Sequence, residues 1–226
     1  AAKDGDIIEV WYGTYNEHIV INKSITLRSR DGVNMTSING RGSGTIITIT
    51  ADNVTITGFT IENAAIGIKI SSNNSIVRDN IIRNIRGNPG YGIYLSSSNG
   101  STISSNTISG VSASKDSGYV YGIYLSSSTG TTIYNNTISS ISGGSCGGAG
   151  SCTRGSGHGI ATVSGSVTNI IYHNNILKCS SKGGYDSSGS NAWDFGPKIG
   201  GNYWSDYKGN DTDNDGIGDT PYELAG

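Results

Sequence analysis

Four stretches of the chain are variants of one another: "GIKISSNNSIVRDNIIRNI", "GIYLSSSNGSTISSNTISGV", "GIYLSSSTGTTIYNNTISSI" and "GIATVSGSVTNIIYHNNILKC". Each opens with a short strand at Gly-Ile, crosses a polar turn, runs through a second strand to an Asn, and ends in a third apolar piece. Aligned on that Asn, the copies give Asn80, Asn106, Asn136 and Asn174. Three residues earlier stand Val77, Ile103, Ile133 and Ile171, and two residues later Ile82, Ile108, Ile138 and Ile176. Further columns read Ile85, Val111, Ile141, Cys179 and Ile68, Ile93, Ile123, Ile160. An earlier copy, "TITADNVTITGFTIENA", places Ile49, Ile56, Ile61 and Ala64 in the same columns. Period-two alternation sends Ile and Val to one side and Ser, Thr and Asn to the other. So short a unit cannot bury its apolar side alone, so successive coils must stack. The expected fold is all-β, a single chain winding through short parallel strands, with the asparagines forming a hydrogen-bonded ladder along one turn.

The ladder positions lie 26, 30 and 38 residues apart. The growth falls at one corner, between the third strand and the next Gly-Ile, in "RGNPGY", "SASKDSGYVY" and "SGGSCGGAGSCTRGSGH". Loops gathered on one corner mark a face that meets a partner, or are tolerated surface insertions; the sequence supports both.

Composition narrows the function classes. With 34% hydrophobic and 14% charged residues, the chain is poor in both for a compact enzyme, yet its regular β-branched columns exclude disorder. A net charge of -2 gives no footprint for nucleic acid, and no apolar run is long enough for a membrane-spanning helix.

Near the C-terminus, "NDTDNDGIGDTPYE" has the spacing of a solitary calcium loop. Asp211, Asp213 and Asp215 alternate, Gly216 stands at the sharp-turn position, and the Ile217 carbonyl and Asp219 complete an all-oxygen set. Hard oxygen ligands favour Ca2+ over zinc or copper. The expected domains are a β-helix over 1–201 and a C-terminal cap with the calcium loop over 202–226, with Tyr203 and Trp204 folding over the last coil.

Three cysteines are present. Cys179 sits in an inward column and is expected buried and free, while Cys146 and Cys152 bracket a Gly-rich loop that a disulfide could close. Sequons at Asn22, Asn34, Asn53, Asn73, Asn99, Asn135 and Asn210 are glycosylation candidates and, with the calcium loop, point to an extracellular location.

The coils resemble the right-handed parallel β-helix repeats of the pectin-lyase-like superfamily. The flanking "DGDIIEVWYGTYNEHIVINKSITLRS" and "GNYWSDYKGNDTDNDGIGDTPYE" resemble a narrower group. That group contains archaeal cell-surface β-helix proteins and the periplasmic copper-accessory proteins of nitrous oxide reductase maturation. The resemblance covers nearly the whole chain and implies the fold; it does not fix the role.

Superfamily hydrolases need paired carboxylates on adjacent coils. Between Gly87 and Asn175 there is one, Asp116, beside Lys115 in an insert. Asp79, next to Arg78 and Arg83, is the best remaining acid–base candidate. One Met and no His-x-His or Cys-x-x-Cys cluster argue against a copper role. Tyr91 and Tyr121 share one column and Tyr94 and Tyr124 another. Such rings suit stacking on sugars, or merely shield the strands beneath. The first reading is a non-catalytic structural protein of a cell surface or sheath; the alternative is a carbohydrate-active or carbohydrate-binding β-helix. Only a few residues precede "IIEV", so the first coil is expected to present an open edge. Self-assembly, head-to-tail or lateral, follows as an expectation, with polysaccharide as the other partner.

Overall fold

The computed structural model describes residues 2–145, 155–196, 199–212 and 218–226. Among them are 22 strands and no helix, arranged in three parallel sheets. The chain visits the sheets in rotation. Ile7–Val10 opens the first sheet, Gly13–Tyr15 the second and Ile19–Ile21 the third, and each later coil adds one strand to each, until Tyr203–Trp204 adds to the second alone. The result is a parallel β-helix, right-handed as parallel crossovers nearly always are.

The predicted columns stand in register. Val77 pairs with Ile103, Ile103 with Ile133, and Ile133 with Ile171. Ile82, Ile108, Ile138 and Ile176 form the facing column in the second sheet, and Ile68, Ile93, Ile123 and Ile160 that in the third. All of these side chains are buried. Each contributes about 1.5–3 kcal/mol of transfer free energy relative to exposure. One alignment slips: Ile47, not Ile49, pairs with Ile68, and Ile49 pairs with Ile70. With a period of two, a shift of two residues keeps Ile49 inward, which is why sequence alone did not reveal it.

The turn from the first sheet to the second has two residues. The first is left-handed, at Asp79, Ser105, Asn135 and His173 (φ 53 to 55°). The second is the ladder Asn. Asn80 Nδ2 donates to Asn106 Oδ1 (3.1 Å), Asn106 to Asn136 (3.0 Å), and Asn136 to Asn174 (2.9 Å). The backbone N–H of each donates to the same oxygen. The ladder has a further rung that the copies did not show: Asn174 Nδ2 donates to Asn202 Oδ1 at 2.9 Å.

The inserts are partly strand. Ile81–Gly87 and Gly90–Ser96 are each seven residues, leaving only Asn88 and Pro89 between them. Segments read as loop therefore lengthen the second and third sheets.

The two ends differ. In the first coil the inward Ile8, Val10 and Ile19 are only half-buried, since their strands are the edges of the sheets among the described residues. At the other end Tyr203–Trp204 adds to the second sheet, and Trp204 is covered by Tyr222, ring centroids 4.1 Å apart and nearly parallel. Cys179 is free but half-buried, not fully buried as expected. Its column ends because the strand above stops at Trp204, which pairs with Ile176.

Candidate functional site

The third sheet carries the outward tyrosines. Its strands begin with a column of glycines, Gly67, Gly92, Gly122 and Gly159, buried against Ile82, Ile108, Ile138 and Ile176. A Cβ on Gly92 would meet the Gly122 carbonyl at 2.5 Å and Ile108 Cγ2 at 2.7 Å. Two consecutive inward residues follow from this close approach, Gly92 and Ile93, so that Tyr91 and Tyr94 both point outward. The next coil repeats the arrangement with Tyr121 and Tyr124.

In register, one column reads Tyr91, Tyr121, His158, and the other Lys69, Tyr94, Tyr124, Ala161, Tyr185. The Tyr91 and Tyr121 rings stack at 5.6 Å, and Tyr121 stacks on His158 at 6.0 Å. Tyr91 and Tyr94 lie 4.8 Å apart, and the Lys69 ammonium sits 5.6 Å from the Tyr94 ring centre. The structure thus brings together the four predicted tyrosines and adds Lys69, His158 and Tyr185. Sequence reading missed these because they break the Tyr column. Burial, with neighbouring phenols reinforcing it, raises the Tyr91 and Tyr124 hydroxyl pKa values and pushes that of Tyr121 to about 12. Burial also lowers the pKa of His158, whose Nδ1 lies 2.7 Å from the Lys182 carbonyl.

Of the expected calcium ligands, Asp213, Asp215 and Ile217 lie outside the described residues. Asp211 and Asp219 stand on the two arms of the loop. The neck is closed by Asp219 N–H donating to the Asn210 carbonyl at 2.8 Å, and by Thr212 N–H donating to Asp219 Oδ2 at 2.8 Å. The Thr212 hydroxyl donates to the same oxygen, and these bonds hold the exposed Asp219 carboxyl below the usual carboxylate range. Tyr207 Oη donates to the Thr220 carbonyl at 2.7 Å just beneath.

Asp79 occupies a turn corner in the left-handed region, paired with Arg78 at 2.5 Å and half-exposed. Arg83 pairs instead with Glu62 at 2.8 Å, so Asp79 and Arg83 belong to separate ion pairs. The described soft donors are dispersed. His18 Nδ1 lies 2.7 Å from the Thr45 carbonyl, and His173 Nε2 contacts the Ile199 carbonyl. Met35 is exposed, and burial pushes the Cys179 thiol to about 12. No group of three or more His, Cys, Asp or Glu side chains able to hold a metal forms among the described residues. Cys146 and Cys152 lie outside them.

The sequon asparagines are exposed, apart from Asn73, which is half-exposed. Asn22, Asn53, Asn73 and Asn99 fall in four successive turns between the third and first sheets. There Asn73 Oδ1 accepts from Asn99 N–H at 3.0 Å, and Asn99 Oδ1 from the Thr129 hydroxyl at 2.7 Å.

The sequence profile of the NosD periplasmic copper-binding proteins matches residues 4–209. The chain belongs to the NosD family. A cell surface glycoprotein of Methanothermus fervidus is 36% identical over 105 residues, 46% of this NosD-family chain. The match spans 13% of that glycoprotein's length. Among solved structures, an alginate lyase from Paenibacillus sp. str. FPU-7 aligns with a TM-score of 0.49 at 16% identity, covering 90% of this chain and 92% of that one. A pectin methylesterase from Yersinia enterocolitica aligns at 0.40 and 15%, covering 76% and 68%. The family and the archaeal relative place this β-helix at the cell surface or in the periplasm. Among the described residues no helix is long and apolar enough to cross a membrane.

Proposed function

We propose that the chain is a non-catalytic structural module of the cell surface or periplasm, a rod whose work is mechanical. The carrying observation is the unbroken Asn80-to-Asn202 ladder running beside full columns of buried Ile and Val. Such a rod satisfies its buried polar groups internally and holds its surface rigid. Incubation with a polysaccharide panel, read by reducing-end release and unsaturated-product absorbance, is expected to give no turnover. Turnover abolished by Asp79→Ala would overturn the reading.

In this reading residues 202–226 form a cap stabilised by calcium. Asp211 and Asp219, on arms held together through Thr212 and Asn210, would supply ligands with Asp213, Asp215 and the Ile217 carbonyl. Bound calcium would add about 2.7 kcal/mol at a free concentration 100 times its Kd. Removal by chelation is therefore expected to lower the melting temperature, with recovery on adding calcium back; an unchanged Tm would remove the clip. Copper enters no part of this proposal, because among the described residues no group of three or more His, Cys, Asp or Glu side chains able to hold a metal forms. The first coil, whose strands are the edges of all three sheets, would receive a second copy, head-to-tail or laterally. Glycans on the sequon corner would leave the tyrosine face clear. Cys146 and Cys152 would close a disulfide, leaving one free thiol on counting under denaturing, non-reducing conditions.

A further inference from the structure

The tyrosine cluster of the third sheet is placed for a covalent step that packing alone does not call for. Elsewhere in the chain, tyrosines that serve packing also use their hydroxyls. Tyr222 donates to Asp206 at 2.8 Å and accepts from Gly183 N–H, and Tyr207 donates to the Thr220 carbonyl. The hydroxyls of Tyr91, Tyr94, Tyr121 and Tyr124 make no hydrogen bond to any described residue. The four side chains are half-buried, so each phenol keeps contact with water.

The tyrosine rings meet in two different ways. Tyr134 and Tyr172 on the first sheet, and Tyr91 and Tyr121 here, lie face to face, with centroids 5.4 and 5.6 Å apart and planes within 13° of parallel. Tyr124 departs from this pattern. Its ring lies 4.6 Å from that of Tyr121, tilted by 51°, and 5.0 Å from that of Tyr91, tilted by 45°. Two rings joined directly by a carbon–carbon bond have centroids two ring radii and one bond length apart, slightly under the 4.6 Å seen here. Such a joined pair also favours a twist between its planes. Tyr124 therefore faces two partners at nearly the spacing and tilt of a coupled product.

We propose that Tyr124 is the centre of an oxidative cross-linking site, coupling to Tyr121 on its own strand or to Tyr91 on the coil before to give dityrosine. The co-reactant is hydrogen peroxide activated by a haem peroxidase. Each phenol gives up one electron and one proton, leaving a phenoxyl radical with spin density on the ring carbons ortho to oxygen. Two ortho carbons join. Each then passes its hydrogen, as a proton, to its own oxygen, and both phenols are restored. One C–C bond replaces two C–H bonds, and the peroxide leaves as two waters. Adjacent rings hold both radicals together, so coupling within one chain outruns collision between chains. Tyr12 and Tyr203 are more exposed but form no ring pair among the described residues. A link from Tyr124 to Tyr91 would staple two successive coils. The step itself rests on ring geometry, not on the non-catalytic reading.

Oxidation of the whole chain at low concentration, with hydrogen peroxide and a haem peroxidase, tests it through dityrosine fluorescence, intact mass and peptide mapping. The expected product is a monomer lighter by two hydrogens. Cleavage after Arg86, Lys115 and Arg154 puts Tyr91 and Tyr94 on one peptide and Tyr121 and Tyr124 on the next. A link to Tyr91 joins the two peptides. A link to Tyr121 leaves the second lighter by two hydrogens, and fragmentation places it at Tyr124. Phe keeps the ring but cannot couple, so Tyr124→Phe should hold its melting temperature and lose most of the fluorescence. Tyr91→Phe with Tyr121→Phe should do the same, whereas Tyr134→Phe should retain it. The proposal is overturned if oxidised protein contains no dityrosine, or if Tyr124→Phe gives an undiminished yield. Cross-links confined to dimers, or to Tyr134 with Tyr172, overturn it too. None of these results touches the non-catalytic reading, which turnover decides separately.

Discussion

The middle coils and the C-terminal cap solve the same problem by opposite means. In the middle, every device is repeated: Ile138 packs between Ile108 and Ile176, and Asn136 bonds between Asn106 and Asn174. In the cap and the last coil beneath it, every device is used once. Trp204 lies under Tyr222, Tyr222 bonds to Asp206, and the carboxylate of Asp186 gathers Trp193, Ser188 and Asn191. Repetition spreads stability over neighbours, whereas the cap concentrates it in single residues.

The largest effect should come from breaking the repeated core. Ile138→Ala leaves a cavity enclosed by coils on both sides and is expected to cost about 4 kcal/mol in denaturant unfolding. Trp204→Ala, at an end covered on one side by the cap, should cost about 3 kcal/mol and loosen the final coils first, visible as faster amide exchange there. Similar exchange along the whole rod would erase the distinction between the regions. Asn136→Ala removes the acceptor for two donors of Asn106 and should cost about 2 kcal/mol.

The smallest effect is a pH dependence confined to the last coil, beneath the cap. Burial alone would raise the Asp186 pKa, but hydrogen bonds from Trp193, Ser188 and Asn191 outweigh it and hold it at about 2. Since the folded value lies below the unfolded one of about 3.9, this contribution is complete above pH 4 and is lost as pH falls toward 2. Melting between pH 5 and pH 2 should show a smaller decline in Asp186→Asn than in the parent. An identical decline would place the acid sensitivity elsewhere.

The same contrast explains what could be read in advance. The Ile and Asn columns were legible because stacking repeats one environment, so residues of one column resemble each other. Asn202 was not, since its copy has Gly184 in the Ile160 column and Trp204 in the Ile176 column. Lys69, His158 and Tyr185 escaped for the same reason: they share a surface with the tyrosines but not a residue type. The slip between Ile47 and Ile49 shows the limit of alternation, which fixes a residue's face but not its rung. The inserts read as loops became strand because pairing with the coil beside them, as in Arg86 with Ser112 and Tyr91 with Tyr121, satisfies backbone that would otherwise face solvent.

The asparagine ladder has a direction and a last member. Each side-chain amide offers one hydrogen to the Asn of the coil that follows and one back to a carbonyl of the coil before, until Asn202, which keeps the backward bond to Ile171 but gives its other hydrogen to the Trp193 carbonyl. At the other end Asn80 Oδ1 is taken by Phe59 N–H. Both terminals are therefore closed by the chain itself, while every rung between is interchangeable. A copied coil spliced in after Asn136 would find a donor behind it and an acceptor ahead, and neither closure would change. Length is thus the freely variable quantity of this architecture: gene duplication can add coils between Asn80 and Asn202 without redesigning either closure of the ladder.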